Sequence, residues 1–170
     1  MYIIQTERLR VRPLKDADFP DIYALLSHEE TMRYIAAPMT EQTLHERWAK
    51  WMGYAALRPG LGTFVLEQRE DAAFAGICVA RQVEYDPDQS EYEIGYIFVP
   101  PLWGKGLASE LVPPLCVYCF SKAPASTAYV VAFTDPGNAA SQRVLGKSGF
   151  RYVGVRQTLY GDSATFFLDR

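Results

Sequence analysis

Trp103-Gly104-Lys105-Gly106-Leu107-Ala108-Ser109-Glu110 joins two segments of different texture. Residues 91–99, upstream of it, alternate as a strand does and run into Pro100-Pro101, while 107–120 form an apolar helix. Glycines at such a step let the backbone approach a ligand. They also turn several N–H groups toward it at the positive end of a helix dipole. A pyrophosphate suits that nest, although glycine pairs at strand-to-helix turns also serve as plain turn chemistry. Two nucleotide motifs fail here. A Walker-type loop needs Ser or Thr after Gly-Lys and a further glycine at position 99, where Gly106 and Val99 stand. A dinucleotide fingerprint needs a third glycine, where Ser109 stands, and an acid about 20 residues on, whereas Asp135 lies beyond the next strand. An NAD-dependent oxidoreductase is therefore a poor rival.

Working outward, 8–12 alternates polar with apolar up to Pro13 and reads as a strand. Asp18 can cap a helix that tolerates Pro20 and carries Phe19, Ile22 and Leu26 on one face. Thr40 opens a second helix, with Leu44, Trp48 and Trp51 at core spacing. Strands follow at 63–68, 74–83 and 91–99, with Asp86-Pro87-Asp88 as the last turn between them. Beyond the apolar helix come a strand at 127–134, the turn Asp135-Pro136-Gly137, a helix at 138–148 stopped by Gly149, and strands at 150–157 and 164–168. The expected fold class is α/β (α+β). It is a mixed, mostly antiparallel sheet of about seven strands with helices on both faces, and a strand–helix–strand crossover makes one parallel pair. Pro113-Pro114 inside the apolar helix predicts a kink or an early break, because an interior proline costs ~3 kcal/mol.

The chain has 170 residues, an apolar share of 49% and a charged share of 22%, which predicts one globular domain over 1–170. A net charge of −3 argues against a nucleic-acid partner. No apolar run approaches a membrane span, and the start lacks a signal-peptide core, so a cytoplasmic protein is expected. Cys116-Val117-Tyr118-Cys119 is a lone CxxC; with Cys78 and two histidines, His28 and His45, it completes neither a zinc site nor a disulfide framework. Small core residues are the expectation, and no metal.

With these residues placed, the chain resembles the GNAT superfamily of acetyl-CoA-dependent N-acetyltransferases, in its RimJ/RimL-like branch. Gly104-Lys105-Gly106 matches the glycines of the family's pyrophosphate loop, although Pro101 stands where an Arg or Gln is usual. Thr6-Glu7-Arg8-Leu9 with Arg12-Pro13 resembles the branch's first strand. Met32-Arg33-Tyr34, Pro38 and Trp48 resemble its helical pair, and Glu93-Ile94-Gly95-Tyr96 its fourth strand. Asn138, Ser141 and Gly149-Phe150 resemble its last helix and the turn after it.

The resemblance implies a splay between two strands that admits the pantetheine arm, paired to backbone groups of Ile97, Phe98 and Val99. The pyrophosphate rests on the amides of Gly104, Lys105, Gly106, Leu107, Ala108 and Ser109. Asn138 caps the last helix and faces the pantetheine. Direct transfer needs a base for the amine, a polarised carbonyl and a proton for the thiolate. Glu93 is the expected base, with Glu91 on the same strand face as its rival; a Val99 N–H polarises the carbonyl. The family's usual tyrosine acid is absent, because Leu145 occupies its position, and Ser141 is the expected partner of the sulfur. Acetyl-CoA is the co-substrate. The acceptor stays open among a peptide N-terminus, polyamine, aminoglycoside and amino acid, and the protein is expected as a monomer or homodimer. A non-catalytic acyl-CoA-binding module is the alternative reading.

Overall fold

A computed structural model describes residues 1–84, 86, 88, 90–159 and 161–170. The Asp86-Pro87-Asp88 turn predicted above includes Pro87, which lies outside the described residues. The strands are β1 (Ile4–Gln5), β2 (Leu9–Pro13), β3 (Gly62–Gln68), β4 (Phe74–Gln82), β5 (Tyr92–Phe98), β6 (Tyr129–Thr134), β7 (Arg151–Thr158) and β8 (Gly161–Asp169). They form one sheet in the order β1-β2-β3-β4-β5-β6-β8-β7. Every pairing is antiparallel except β5 with β6. The sheet is one strand larger than expected, because β1 has two residues, too few to show an alternation.

Helices α1 (Phe19–Leu26), α2 (Glu29–Met32) and α3 (Glu41–Leu57) cover one face, and α4 (Leu107–Lys122) and α5 (Ala139–Lys147) the other. On the first face Ile22, Leu26, Met32, Leu44 and Trp48 pack over Val65 and Ile77. On the second, Leu111, Leu115, Cys116, Cys119 and Leu145 pack over Phe64, Ile94, Phe98 and Val130. Thr40 opens α3 as expected, its hydroxyl accepting from the Thr43 N–H at 3.2 Å. Asp18 does not cap α1. Its carboxylate accepts from Arg12 at 2.7 and 2.8 Å and from the Lys15 N–H at 2.7 Å, and so closes a 3-10 turn ahead of the helix.

Helix α4 runs through Pro113 and Pro114 without the expected break. The two prolines remove the N–H donors for the carbonyls of Ser109 and Glu110. Ser109 and Pro113 are exposed, so water can meet that side of the helix, while Leu111, Val112, Leu115 and Cys116 bury the other against the sheet. Packing holds what propensity would have broken.

The three cysteines are buried and unbridged, and burial pushes Cys116 and Cys119 up to about 12 and Cys78 higher still. Buried in this way the three thiols pack as small core residues. Among the described residues no cluster of His, Cys, Asp or Glu suits a metal, and no helix is long and apolar enough to cross a membrane.

Candidate active site

Strands β5 and β6 pair only at Tyr92–Val130 and Glu93–Val131, and beyond those residues the sheet opens. Two cavities meet at the opening. One, of about 450 Å³, is lined by Phe98, Trp103, Gly104, Gly106, Leu107, Ala108, Ser109 and the α5 residues Ala140, Arg143, Val144 and Lys147. The other, of about 270 Å³, is lined by Arg81, Glu84, Glu93, Asp135, Asp162 and, from the helical face, Met32, Met39 and Trp51. Both are lined by Tyr34, Ile35, Tyr96, Ile97, Asn138 and Ser141. These six residues, the shared ring, form the wall that the two cavities have in common.

The floor of the larger cavity is the start of α4. Gly104 and Gly106 sit at φ 73° and 77°, in the left-handed region, and no side chain caps the helix. The Glu110 N–H is the first to find a helical acceptor, the Gly106 carbonyl at 3.2 Å. The first-turn amides of Leu107, Ala108 and Ser109 have no acceptor inside the helix, as at any helix start. An anionic group fits such a floor. Arg8 braces the loop from outside, donating to the Lys105 carbonyl at 2.8 Å and to Glu110 at 2.7 Å. Burial pulls the Glu110 carboxyl upward, but hydrogen bonds from Thr6 and Arg8 outweigh it and hold Glu110 below its usual value. Lys105 is exposed, and its contribution to the loop is backbone.

The register of β5 decides which of its backbone groups face the opening. The Val99 N–H donates to the Ala75 carbonyl of the β4 side at 3.0 Å, so it is spent inside the sheet and not free to polarise a thioester. Hydrogen bonding alternates along an antiparallel pair, which turns the backbone groups of Ile97 and Val99 toward β4 and those of Tyr96 and Phe98 toward the opening. The Phe98 carbonyl accepts from the Trp103 indole at 2.7 Å, which leaves its N–H as the group facing the opening. Ile97 lines both cavities.

Asn138 caps α5, its side-chain oxygen accepting from the Ser141 N–H at 3.1 Å. That cap sets Ser141 at the shared ring, where its hydroxyl lies 3.3 Å from the Tyr96 phenol. Leu145 is buried in the core, so α5 presents no tyrosine there.

Glu93 is 9% exposed and opposes Arg81 directly across β4 and β5, with Arg81 Nε 2.5 Å from its carboxylate. Burial raises its pKa most; the charge and hydrogen bond of Arg81 pull back without cancelling, and the net shift is upward from 4.5. Glu91 lies in a different setting. Its carboxylate accepts from the Tyr129 phenol at 2.8 Å and from Arg156 at 2.9 Å, which ties β5 to β6 and β7. Glu91 is absent from the lining of both cavities, whereas Glu93 belongs to the smaller one. Sequence reasoning missed Tyr96, although it stood in the quoted Glu93-Ile94-Gly95-Tyr96. Nothing in a sequence reports that a strand residue and a helix residue 45 positions apart will meet.

A family model described as an acetyltransferase (GNAT) domain matches residues 8–151. A Bacillus subtilis protein named as the uncharacterized N-acetyltransferase YoaA is 31% identical over 168 residues, covering 96% of this chain and 92% of its own. A GNAT-family acetyltransferase structure from Bacillus anthracis superposes with a TM-score of 0.78 at 25% identity, covering 99% of this chain and 98% of that one. A spermidine N-acetyltransferase from Vibrio cholerae, solved with CoA and spermine, gives 0.75 at 20% identity, with 95% of each chain covered. At that identity it shows the fold alone.

Proposed function

Because the chain belongs to the GNAT acetyltransferase family and is an acetyl-CoA-dependent N-acetyltransferase, we propose that it moves acetyl directly to a primary amine through the gap between β5 and β6, with the whole chain, 1–170, acting as one unit. The observation that carries this reading is the ring shared by the two cavities, formed by Tyr96, Ile97, Asn138 and Ser141 among others. The donor takes the larger cavity, its pyrophosphate on the amides from Gly104 to Ser109 and its pantetheine beside Tyr96 and Phe98. A gap-facing N–H of Tyr96 or Phe98, in place of Val99, polarises the thioester carbonyl.

The acceptor takes the smaller cavity. Its ionisable lining has two arginines, Arg47 and Arg81, against four acids, Glu84, Glu93, Asp135 and Asp162, a balance that favours a cationic amine. The amine of the spermine in the Vibrio cholerae complex is of this kind. Ser141, with Leu145 at the usual tyrosine position, supports reading the chain as RimJ/RimL-like, a branch named for acetylation of ribosomal-protein N-termini. Both acceptor classes present a primary amine to the same carboxylate.

Glu93 accepts the amine proton, directly or through one water. Residues 93 and 96 are three steps apart along β5, about 10 Å, and their side chains leave on opposite sheet faces. The amine therefore approaches from the α1–α3 face while the sulfur departs on the α4–α5 face. A carbonyl held at Val99 would lie six steps from Glu93, about 20 Å, so a carbonyl held at Tyr96 halves that separation.

Glu93→Gln keeps the shape, removes the base and tests the reading. It should lower kcat/KM by roughly 10²–10⁴ at neutral pH, with part of the loss recovered at higher pH as more amine becomes neutral unaided. Near-full activity of Glu93→Gln at pH 7 with a spermine or peptide acceptor would remove Glu93 from the reaction. A base whose pKa is raised in the fold becomes active only as pH rises through that value, so kcat/KM climbs there. Stability runs the other way: the contribution of protonated Glu93 is complete below its unfolded pKa and is lost as pH rises through the folded one. Denaturation midpoints of wild type and Glu93→Gln across that window check the second trend.

A further inference from the structure

We propose that Tyr96 is the second acid of the transfer, replacing the proton of Ser141 as Ser141 gives its own to the departing sulfur. The inference rests on the reading of Ser141 as the partner of that sulfur. It begins from a shortage: a serine hydroxyl is a weak acid, and alone it would be left as a costly alkoxide. The helix that carries Ser141 offers no phenol, since Leu145 points into the core at 1% exposure. The strand across the gap supplies one. Tyr96 Oη lies 3.3 Å from Ser141 Oγ, and both residues belong to the ring where the two cavities meet.

Neither partner arrives there by accident of a mobile side chain. The Ser141 backbone N–H is held by Asn138 in the α5 cap. The Tyr96 ring packs against Phe98, with centroids 6.0 Å apart, and the residue lies opposite Cys78 within the β4–β5 ladder. A distance of 3.3 Å is long for a hydroxyl pair, whose usual separation is about 2.7 Å. Catalytic hydrogen bonds in free enzymes are commonly loose and tighten when the reacting atoms arrive. Burial, partly offset by the Ser141 hydrogen bond, raises the Tyr96 pKa, so the phenol is protonated and ready to donate at neutral pH.

The step balances without any further reagent. The amine nitrogen forms its bond to the carbonyl carbon, and the C–S bond breaks with its electron pair on sulfur. Sulfur takes the Ser141 hydroxyl proton and Ser141 Oγ takes the phenolic proton of Tyr96, while the nitrogen, already neutral after its ammonium proton has passed through Glu93 to solvent, gives its second proton to Glu93. Tyr96 then regains a proton from solvent as Glu93 releases one to it. The products are the N-acetylated amine and the free thiol.

The experiment compares wild type, Tyr96→Phe, Ser141→Ala and the double variant by single-turnover acetyl transfer at saturating acetyl-CoA, alongside CoA dissociation constants. Tyr96→Phe should slow transfer by roughly tenfold or more while CoA affinity stays within about twofold, as expected for a lost proton donor. The double variant should be no slower than Ser141→Ala, because cutting either link cuts the relay. The rate in mixed H₂O and D₂O should be curved for wild type, with two protons in flight, and linear for Tyr96→Phe; a merely structural tyrosine would leave that curve unchanged. A wild-type rate for Tyr96→Phe beside a slow Ser141→Ala overturns the relay and leaves the Ser141 reading standing. A fast Ser141→Ala beside a slow Tyr96→Phe overturns both, and places Tyr96 on the sulfur itself. Losses that multiply in the double variant also overturn the relay. If Tyr96→Phe does not fold, 3-fluorotyrosine at position 96 keeps ring and hydroxyl, and an unchanged rate and isotope curve there overturn the proposal.

Discussion

The molecule has two strand-to-helix turns at the opening of its sheet, and they are built on opposite plans. The turn into α4 places two glycines in left-handed geometry, has no side-chain cap and leaves its first amides unmet within the helix. The turn into α5 is satisfied internally: Asp135 accepts from the Gly137 N–H at 2.6 Å, and Asn138 accepts from Ser141 at 3.1 Å. An open helix start offers its backbone to an anion and owes its stability to bracing from outside, here by Arg8 and Glu110. A largely closed one, with the Ala139, Ser141 and Gln142 donors already bonded within the turn, has fewer backbone donors to offer, but it can hold a side chain in one place. The same local motif thus serves binding at one site and positioning at the other, and the difference lies in whether a side chain has already answered the orphan amides.

The contrast predicts different kinetic signatures for the two turns. The largest effect belongs to the closed one: Ser141→Ala should lower kcat roughly ten- to a hundredfold with little change in CoA affinity, measured by steady-state kinetics and CoA titration. A rise in the CoA dissociation constant with kcat intact would make both turns binding elements and dissolve the contrast. At the open turn, Gly106→Val should raise the CoA dissociation constant about tenfold or more. A β-branched residue at φ 77° is strained, and its side chain would start 3.7 Å from the Arg8 guanidinium that braces the loop, so the nest of amides would be distorted. A folded Gly106→Val that binds CoA as wild type does would break the assignment of the open turn. The smallest effect should come from Asn138→Ala, which removes the cap and leaves the Ser141 hydroxyl in the chain. It should cost about 1 kcal/mol in a denaturant titration, with a kcat loss smaller than that of Ser141→Ala. A kcat loss equal to that of Ser141→Ala would mean that the cap itself, and not the hydroxyl, touches the reaction.

The sequence carried much of this arrangement, for reasons that can be named. Glycine pairs, prolines and period-two runs are local signals, and they put α4, α5, β3, β4, β5 and β6 where the structure has them, within a residue or two. The Asn138 cap was legible because capping acts over three residues. What failed depended on neighbours. Pro113 and Pro114 were read by their propensity, but a helix packed along a sheet on one side and open to water on the other tolerates them. Val99 was placed in the gap because the end of a strand can be counted, whereas the parity of its hydrogen bonds depends on the register with β4. Glu91 and Glu93 were indistinguishable as two carboxylates on one strand face. Burial against Arg81 at the cavity separates Glu93 from Glu91, which is held by Tyr129 and Arg156.

By itself the sequence determined the order of elements, the nest of glycines and the identity of the groups available for chemistry, because each of those is set by residues within one or two turns of chain. The meeting of Tyr96 with Ser141, the turning of Val99 away from the gap and the burial of Glu93 were decided only by tertiary structure. They depend on which strand lies beside which and in what register, and on what then lies within hydrogen-bond reach. Those are distances between residues far apart in the chain, fixed when the whole sheet and both helical layers pack at once.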